Sequence, residues 1–163
     1  MDEGPIVCNA GPLIALSMIG SLHLLPALYR TVLVPEEVLQ EVVESGAGRS
    51  GAREVASAAW LQRAASAGPP DLLLAKELGA GEAAVISTAY WNGARLVLLD
   101  ERRARRIAEQ AYRLRVKGSA GILVSARRAG LIPRVRPLLE TLSERGYFLA
   151  RRLIERACQE VGE

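Results

Sequence analysis

Two short polar side chains stand where predicted strands end, and together they could contribute to a metal site. Asp100 follows the unbroken apolar run 96–99, and Asn9 follows the apolar run 6–8. Short apolar runs of this kind are typical of buried strands in a parallel sheet. In open α/β sheets, ligands bind beyond the carboxyl ends of the strands. We therefore expect Asn9 and Asp100 to lie at the functional edge of a sheet.

Two glutamates could add carboxylates to this site, although all four residues also have structural explanations. Glu41 lies in a predicted helix that contains several glutamates, and it could be an ordinary solvated side chain. Glu82 falls in the first turn of a predicted helix, where the helix dipole favours any acid. Asn9 could be a turn residue, and Asp100 could cap the helix that follows it. No one of the four identifies a site by itself.

The hydrophobic pattern predicts strands that alternate with helices, which favours a three-layer α/β/α fold with a mainly parallel central sheet. A glycine-rich break is predicted at 45–50 and a loop at 68–70, and the segment near 60–61 has no clear assignment. The predicted strands are 6–8, 32–34, 96–99 and 114–116. The predicted helices are 12–19, 22–28, 36–44, 52–58, 72–78, 82–91, 101–112, 119–129, 134–145 and 148–161.

The composition indicates one ordinary globular domain over residues 1–163, with the C-terminal helices, about 134–161, packed on it or at a dimer contact. Hydrophobic residues make up 50% of the chain and charged residues 24%, which excludes a disordered protein. Lys and Arg outnumber Asp and Glu by 21 to 18, a mild excess that is compatible with a nucleic-acid partner. Cys8 and Cys158 fall in predicted apolar elements and are expected to be reduced.

The sequence also predicts a location. It shows no signal peptide and no apolar stretch near the roughly 20 residues that a membrane-spanning helix needs. We therefore expect a cytoplasmic protein without a membrane partner.

Five segments in order carry a resemblance to a known family. The first places a polar residue before small residues and Pro-Leu-Ile, and the next three each contain one of the acids named above. The segments are 9–16 (NAGPLIAL), 34–41 (VPEEVLQE), 78–86 (LGAGEAAVI), 98–105 (LLDERRAR) and 116–123 (VKGSAGIL). This series resembles the PIN-domain ribonucleases, and in particular a branch of small, stand-alone PIN proteins similar to toxin ribonucleases. The resemblance runs from about residue 5 to about residue 150.

The resemblance implies a metal-dependent endoribonuclease that hydrolyses RNA phosphodiester bonds with Mg²⁺ or Mn²⁺. Glu41, Glu82 and Asp100 would be catalytic, and the same three with Asn9 and Glu101 would be the metal ligands. Hard oxygen ligands are the ones these cations select. The residues expected at the substrate are Ser119, Arg102, Arg103 and Arg106. The implied partners are RNA, a protein antitoxin and a second copy of the chain.

Asn9 departs from the family pattern, which most often has aspartate at this position. An amide oxygen can ligate a metal but removes one negative charge from the cluster. The alternative function is therefore a PIN-fold binding module with weakened or lost catalysis. A third interpretation, a phosphorylated Asp100 on a receiver-like sheet, would need further acids after the first strand and a well-placed lysine, and the sequence offers neither.

Overall fold

The computed structural model describes residues 3–44, 51–65 and 68–163 and is built on a five-stranded parallel sheet. The strands are β1 (Ile6–Cys8), β2 (Val32–Pro35), β3 (Leu61–Ala64), β4 (Leu96–Leu98) and β5 (Val116–Lys117). The spatial order of the strands is β3-β2-β1-β4-β5, and every neighbouring pair is parallel. With helices flanking this sheet, the predicted three-layer α/β fold is confirmed.

The helices form two groups around the sheet. The helices are α1 (Ala10–Met18), α2 (Leu24–Tyr29), α3 (Glu36–Leu39), α4 (Ala52–Ala56), α5 (Leu72–Glu77), α6 (Ala80–Trp91), α7 (Arg102–Gln110), α8 (Ser119–Arg128), α9 (Arg136–Glu144) and α10 (Arg151–Glu160). Helices α1, α2 and α10 pack on α8, whereas α3, α5 and α7 pack on α6. Within the described ranges, no helix combines the length and the apolar character needed to cross a bilayer.

The strand order places a topological switch point between β1 and β4. The chain moves outward from β1 to β2 and β3 and then returns to the other side of β1 with β4 and β5. Both β1 and β4 are completely buried, since each has a strand on both sides and helices over both faces. Connections leave the sheet in opposite directions at such a point, which opens a crevice beyond the strand ends.

The structure differs from the predicted elements at four places that matter for the site. Strand β3 was not predicted, because two of its four residues are exposed and its sequence, LQRA, lacks an apolar run. Strand β5 lies two residues later than expected. The helix predicted over 36–44 changes at Gln40 into a π-helical turn, Gln40–Glu44. The helix predicted to begin at Phe148 begins at Arg151, so 147–150 is not helical. The break predicted at 45–50 lies outside the described residues.

Candidate active site

Asn9 and Asp100 lie side by side at the β1–β4 switch point. Cys8 is in register with Leu98, and the Asn9 amide donates to the Leu98 carbonyl at 2.9 Å. Asn9 occupies the N-cap position of α1, yet its side chain makes no capping hydrogen bond. The residue is 6% exposed, and its Oδ1 is buried without a hydrogen-bond donor in the described part of the chain. A buried amide oxygen in this state is costly unless a ligand satisfies it.

Glu41 lies near Asn9, next to Gly81, and Glu82 borders the same cleft. A β-carbon at Gly81 would lie 2.8 Å from Glu41 Oε2 and 3.7 Å from Asn9 Oδ1, so both oxygens border the space that this glycine leaves open. Burial and the nearby Glu82 charge raise the pKa of Glu41 above its ordinary value. A carboxylate whose ionised form is disfavoured in this way provides a site where a cation is stabilised. Glu41 lies in the π-helical turn, a distortion that is frequent at functional sites.

Three hydrogen bonds hold the Asp100 carboxylate. The Ser119 amide donates to Oδ1 at 2.7 Å, and the Ser119 hydroxyl donates to Oδ2 at 2.5 Å. The Tyr147 hydroxyl also donates to Oδ2, at 2.5 Å. Burial, and then the Asp100 charge, raise the pKa of Tyr147, which keeps its hydroxyl protonated as a donor. Asp100 therefore fixes the start of α8 and the segment before α10 to the end of β4.

Three of the predicted site residues are engaged within the protein. Glu101 is the N-cap of α7, and its two carboxylate oxygens accept from the amides of Arg103 and Ala104 at 3.1 and 2.7 Å. The sequence also allows Asp100 as the cap of this helix, but in the structure Glu101 occupies that position. The Arg103 guanidinium forms a salt bridge with Glu77. Ser119 is completely buried, and its amide and hydroxyl both donate to the Asp100 carboxylate.

A cleft of about 1030 Å³ joins the four oxygen-bearing residues to a set of arginines. Arg102 and Arg106 lie on its wall as predicted. Arg105, which follows in the same arginine-rich segment, lines it too. Sequence reasoning did not select Arg152, Arg156, Tyr147 and Phe148, which also line the cleft. In the described part of the chain, no salt bridge neutralises any of the five arginines. Their charges are therefore available to an anion in the cleft.

The donors at this site fit a hard divalent cation. Asn9 Oδ1 is a buried oxygen that no described residue satisfies, Glu41 lies near it, and Glu82 borders the same cleft. Among the described residues, no three His, Cys, Asp or Glu side chains are gathered closely enough to form a metal group by themselves. Asn9 offers an amide oxygen here, and the Asp100 carboxylate accepts hydrogen bonds from Ser119 and Tyr147. Mg²⁺ commonly needs only one or two protein carboxylates and keeps waters at its other positions, so the donor set is sufficient.

We predict that Gly81→Ala will weaken cation binding without weakening the fold. The new β-carbon would lie 2.8 Å from Glu41 Oε2 and would force that flexible carboxylate aside. Alanine is favoured over glycine in a helix by roughly 0.5–1 kcal/mol, so thermal stability should hold or rise. Calorimetric titration with Mn²⁺ should show an affinity loss of about 10-fold or more, the size expected when support for a metal site is disturbed. Unchanged Mn²⁺ affinity would remove Glu41 from the site.

Comparison with known proteins agrees with this geometry. A family model for the PIN domain matches residues 5–163, which is nearly the whole chain. No curated protein and no solved structure gives a significant match. PIN domains are generally nucleases and typically use divalent metal ions. The matched length and the parallel sheet with acids at its switch point lead to one conclusion: the chain belongs to the PIN-domain family.

Proposed function

We propose that this protein is a metal-dependent endoribonuclease that hydrolyses RNA phosphodiester bonds. The observation that carries the proposal is the cleft, which brings Asn9, Glu41, Glu82 and Asp100 together with five arginines that form no salt bridge with any residue the structure describes. Oxygen ligands alone would suit any cation site, and arginines alone would suit any anion. Their combination in one cleft suits a phosphodiester bound next to a divalent metal ion.

Asn9, Glu41, Glu82 and Asp100 would hold Mg²⁺ or Mn²⁺. A cation bound there would acidify a bound water and stabilise negative charge on the phosphate. The carboxylates of Glu41 and Glu82 would balance the cation's charge, and the raised pKa of Glu41 would return towards normal when the cation binds. Ser119 and Tyr147 would keep the Asp100 carboxylate in one orientation. Glu101 would serve as the α7 cap and not as a ligand.

The arginines would hold the RNA backbone. Arg102, Arg105 and Arg106 are on α7, whereas Arg152 and Arg156 are one turn apart on α10. Guanidinium groups make bidentate hydrogen bonds to phosphate, and such contacts position a nucleic acid without reading its sequence. Arg103 would contribute little, because its charge is paired with Glu77.

The proposal is tested by incubating purified protein with a mixed RNA pool and Mn²⁺. We expect internal cleavage that stops when EDTA removes the metal. Cleavage should also weaken steeply as salt rises, because each phosphate contact releases counterions. Metal-independent cleavage, or a complete lack of cleavage together with undetectable Mn²⁺ binding, would contradict the proposal.

The second candidate function is a non-catalytic PIN-fold binding module. The observation in its favour is the amide of Asn9 in place of a carboxylate, together with the hydrogen bonds that occupy Asp100. Such a module would bind RNA through the same arginines and leave it intact.

The family resemblance further supports a toxin role with a protein antitoxin and a homodimer. Copurification with a chromosomally adjacent gene product tests the antitoxin, and sedimentation analysis tests the homodimer.

A further inference from the structure

Phe148 is a large apolar side chain on the lip of the cleft. It is the only phenylalanine in the chain and is 88% exposed. Single exposed apolar residues are common on protein surfaces and need no explanation by themselves. The position of Phe148 is different, because its ring borders the same cleft as Asp100 and the five arginines.

The neighbours of Phe148 fix its backbone. Tyr147 donates its hydroxyl to Asp100 and its amide to the Leu142 carbonyl at 3.0 Å. On the other side, Leu149 is buried in the core. The side chains of Tyr147 and Leu149 therefore point into the protein, and the side chain of Phe148 between them points into solvent. The backbone at Phe148 therefore needs no rearrangement when a ligand stacks on the ring.

The charges around Phe148 indicate what the ring would contact. Arg152 and Arg156 lie in α10, which begins three residues after Phe148, and Arg102 and Arg106 line the same cleft. An apolar protein partner would leave these guanidinium groups buried and unpaired, which is costly. A nucleotide satisfies both features, because its phosphate pairs with arginine and its base offers a flat face for an aromatic ring.

We propose that Phe148 is a stacking platform for an unpaired base of a single-stranded RNA bound in the cleft. The inference rests on the proposed function and assigns to it a residue that contacts a base. In a duplex, each base is already stacked on its neighbours and its face is not available. Phe148 therefore selects single strands, and it places the stacked nucleotide a fixed distance from Asp100 through Tyr147.

The test is equilibrium binding of a fluorescently labelled ten-nucleotide RNA in EDTA, so that cleavage cannot interfere. Phe148→Leu keeps an apolar side chain and removes the ring, and Phe148→Tyr keeps the ring. We expect Phe148→Leu to weaken single-strand binding by about fivefold to about 100-fold, the range for one base–aromatic stack. Phe148→Tyr should bind like the wild type. A duplex of the same sequence should bind all variants equally.

The matched control is Trp91→Leu, which removes another exposed ring, 73% exposed, outside the cleft. It should leave binding unchanged. A series of RNAs with one base removed at each position should reveal a sensitive position in the wild type that is lost in Phe148→Leu. A residue with only a structural role would not produce this position-specific loss.

The remaining outcomes separate the inference from the proposed function. If the wild type cleaves RNA and Phe148→Leu binds single strands equally well, the inference is wrong and the nuclease assignment stands. If Phe148→Leu instead changes the sedimentation coefficient, the ring belongs to a protein interface and the inference is wrong. If the wild type neither binds nor cleaves RNA, both proposals are wrong.

Discussion

Replacing Asp100 by asparagine is expected to reduce metal-dependent RNA cleavage by at least about 100-fold, because disturbing even the residues around a metal ligand commonly costs 10- to 100-fold. The substitution keeps the size of the side chain and removes its charge at the centre of the site. Its amide nitrogen would also oppose one of the two hydroxyl donors, Ser119 and Tyr147. Cleavage of the RNA pool with Mn²⁺ measures the effect, and preparing both proteins identically excludes a contaminating nuclease.

Asp71→Asn provides a matched control for this experiment. Asp71 also accepts from one backbone amide, that of Leu74, and from one tyrosine hydroxyl, that of Tyr112, but it caps α5 away from the cleft. Both substitutions should lower thermal stability, because both weaken hydrogen bonds to a carboxylate. Only Asp100→Asn should lose cleavage. Equal cleavage by the wild type and Asp100→Asn would show that Asp100 holds the fold together and takes no part in the reaction.

Replacing Asn9 by aspartate is expected to tighten Mn²⁺ binding by about tenfold or more and to raise the rate of RNA cleavage. An added charge a few ångströms from a cation contributes on the order of 1.4 kcal/mol or more even after solvent screening, and 1.4 kcal/mol is tenfold in affinity. Calorimetric titration gives the affinity directly. Asn92→Asp is the control, because Asn92 is an exposed residue at the end of α6.

The same substitution should destabilise the metal-free protein in a pH-dependent way. The introduced carboxylate would be buried beside Glu41, whose pKa is already raised by burial and by Glu82. Carboxyl groups with a raised pKa in the folded state favour folding at acidic pH, and this contribution is lost as pH rises through their folded pKa. In EDTA, the melting temperature of Asn9→Asp should therefore fall as pH rises above about 4, the ordinary pKa of a carboxyl group. Adding Mn²⁺ should restore it. Mn²⁺ affinity equal to that of the wild type would exclude Asn9 as a ligand.

The fold was predictable because the strongest signals in the chain are local. Strands β1, β2 and β4 are buried on both faces, so each appears in the sequence as a continuous apolar run. Strand β3 was missed because it is the outermost strand beside β2 and two of its four residues are exposed. An edge strand needs no apolar run, and its pairing with β2 is a tertiary interaction that no local pattern reports.

The candidate site was predictable only in part. Strand ends located Asn9 and Asp100, and the family resemblance added Glu41 and Glu82. The resemblance could not show that the carboxylate of Glu101 would cap α7 or that Arg103 would pair with Glu77. Both outcomes depend on the residue at which α7 begins and on which side chains lie next to its first turn.

The sequence by itself determined the order of the elements, the parallel sheet and the residue types at the ends of β1 and β4, because burial and chain connectivity impose these directly on the amino-acid pattern. Tertiary structure alone decided which oxygens share a cleft and which are held by protein donors. It also brought Tyr147 and Phe148 to Asp100, 47 residues earlier in the chain for Tyr147, through the packing of α10 on α8. Contacts between residues so far apart are selected by the fit of whole helices against the core, and no local spacing encodes them.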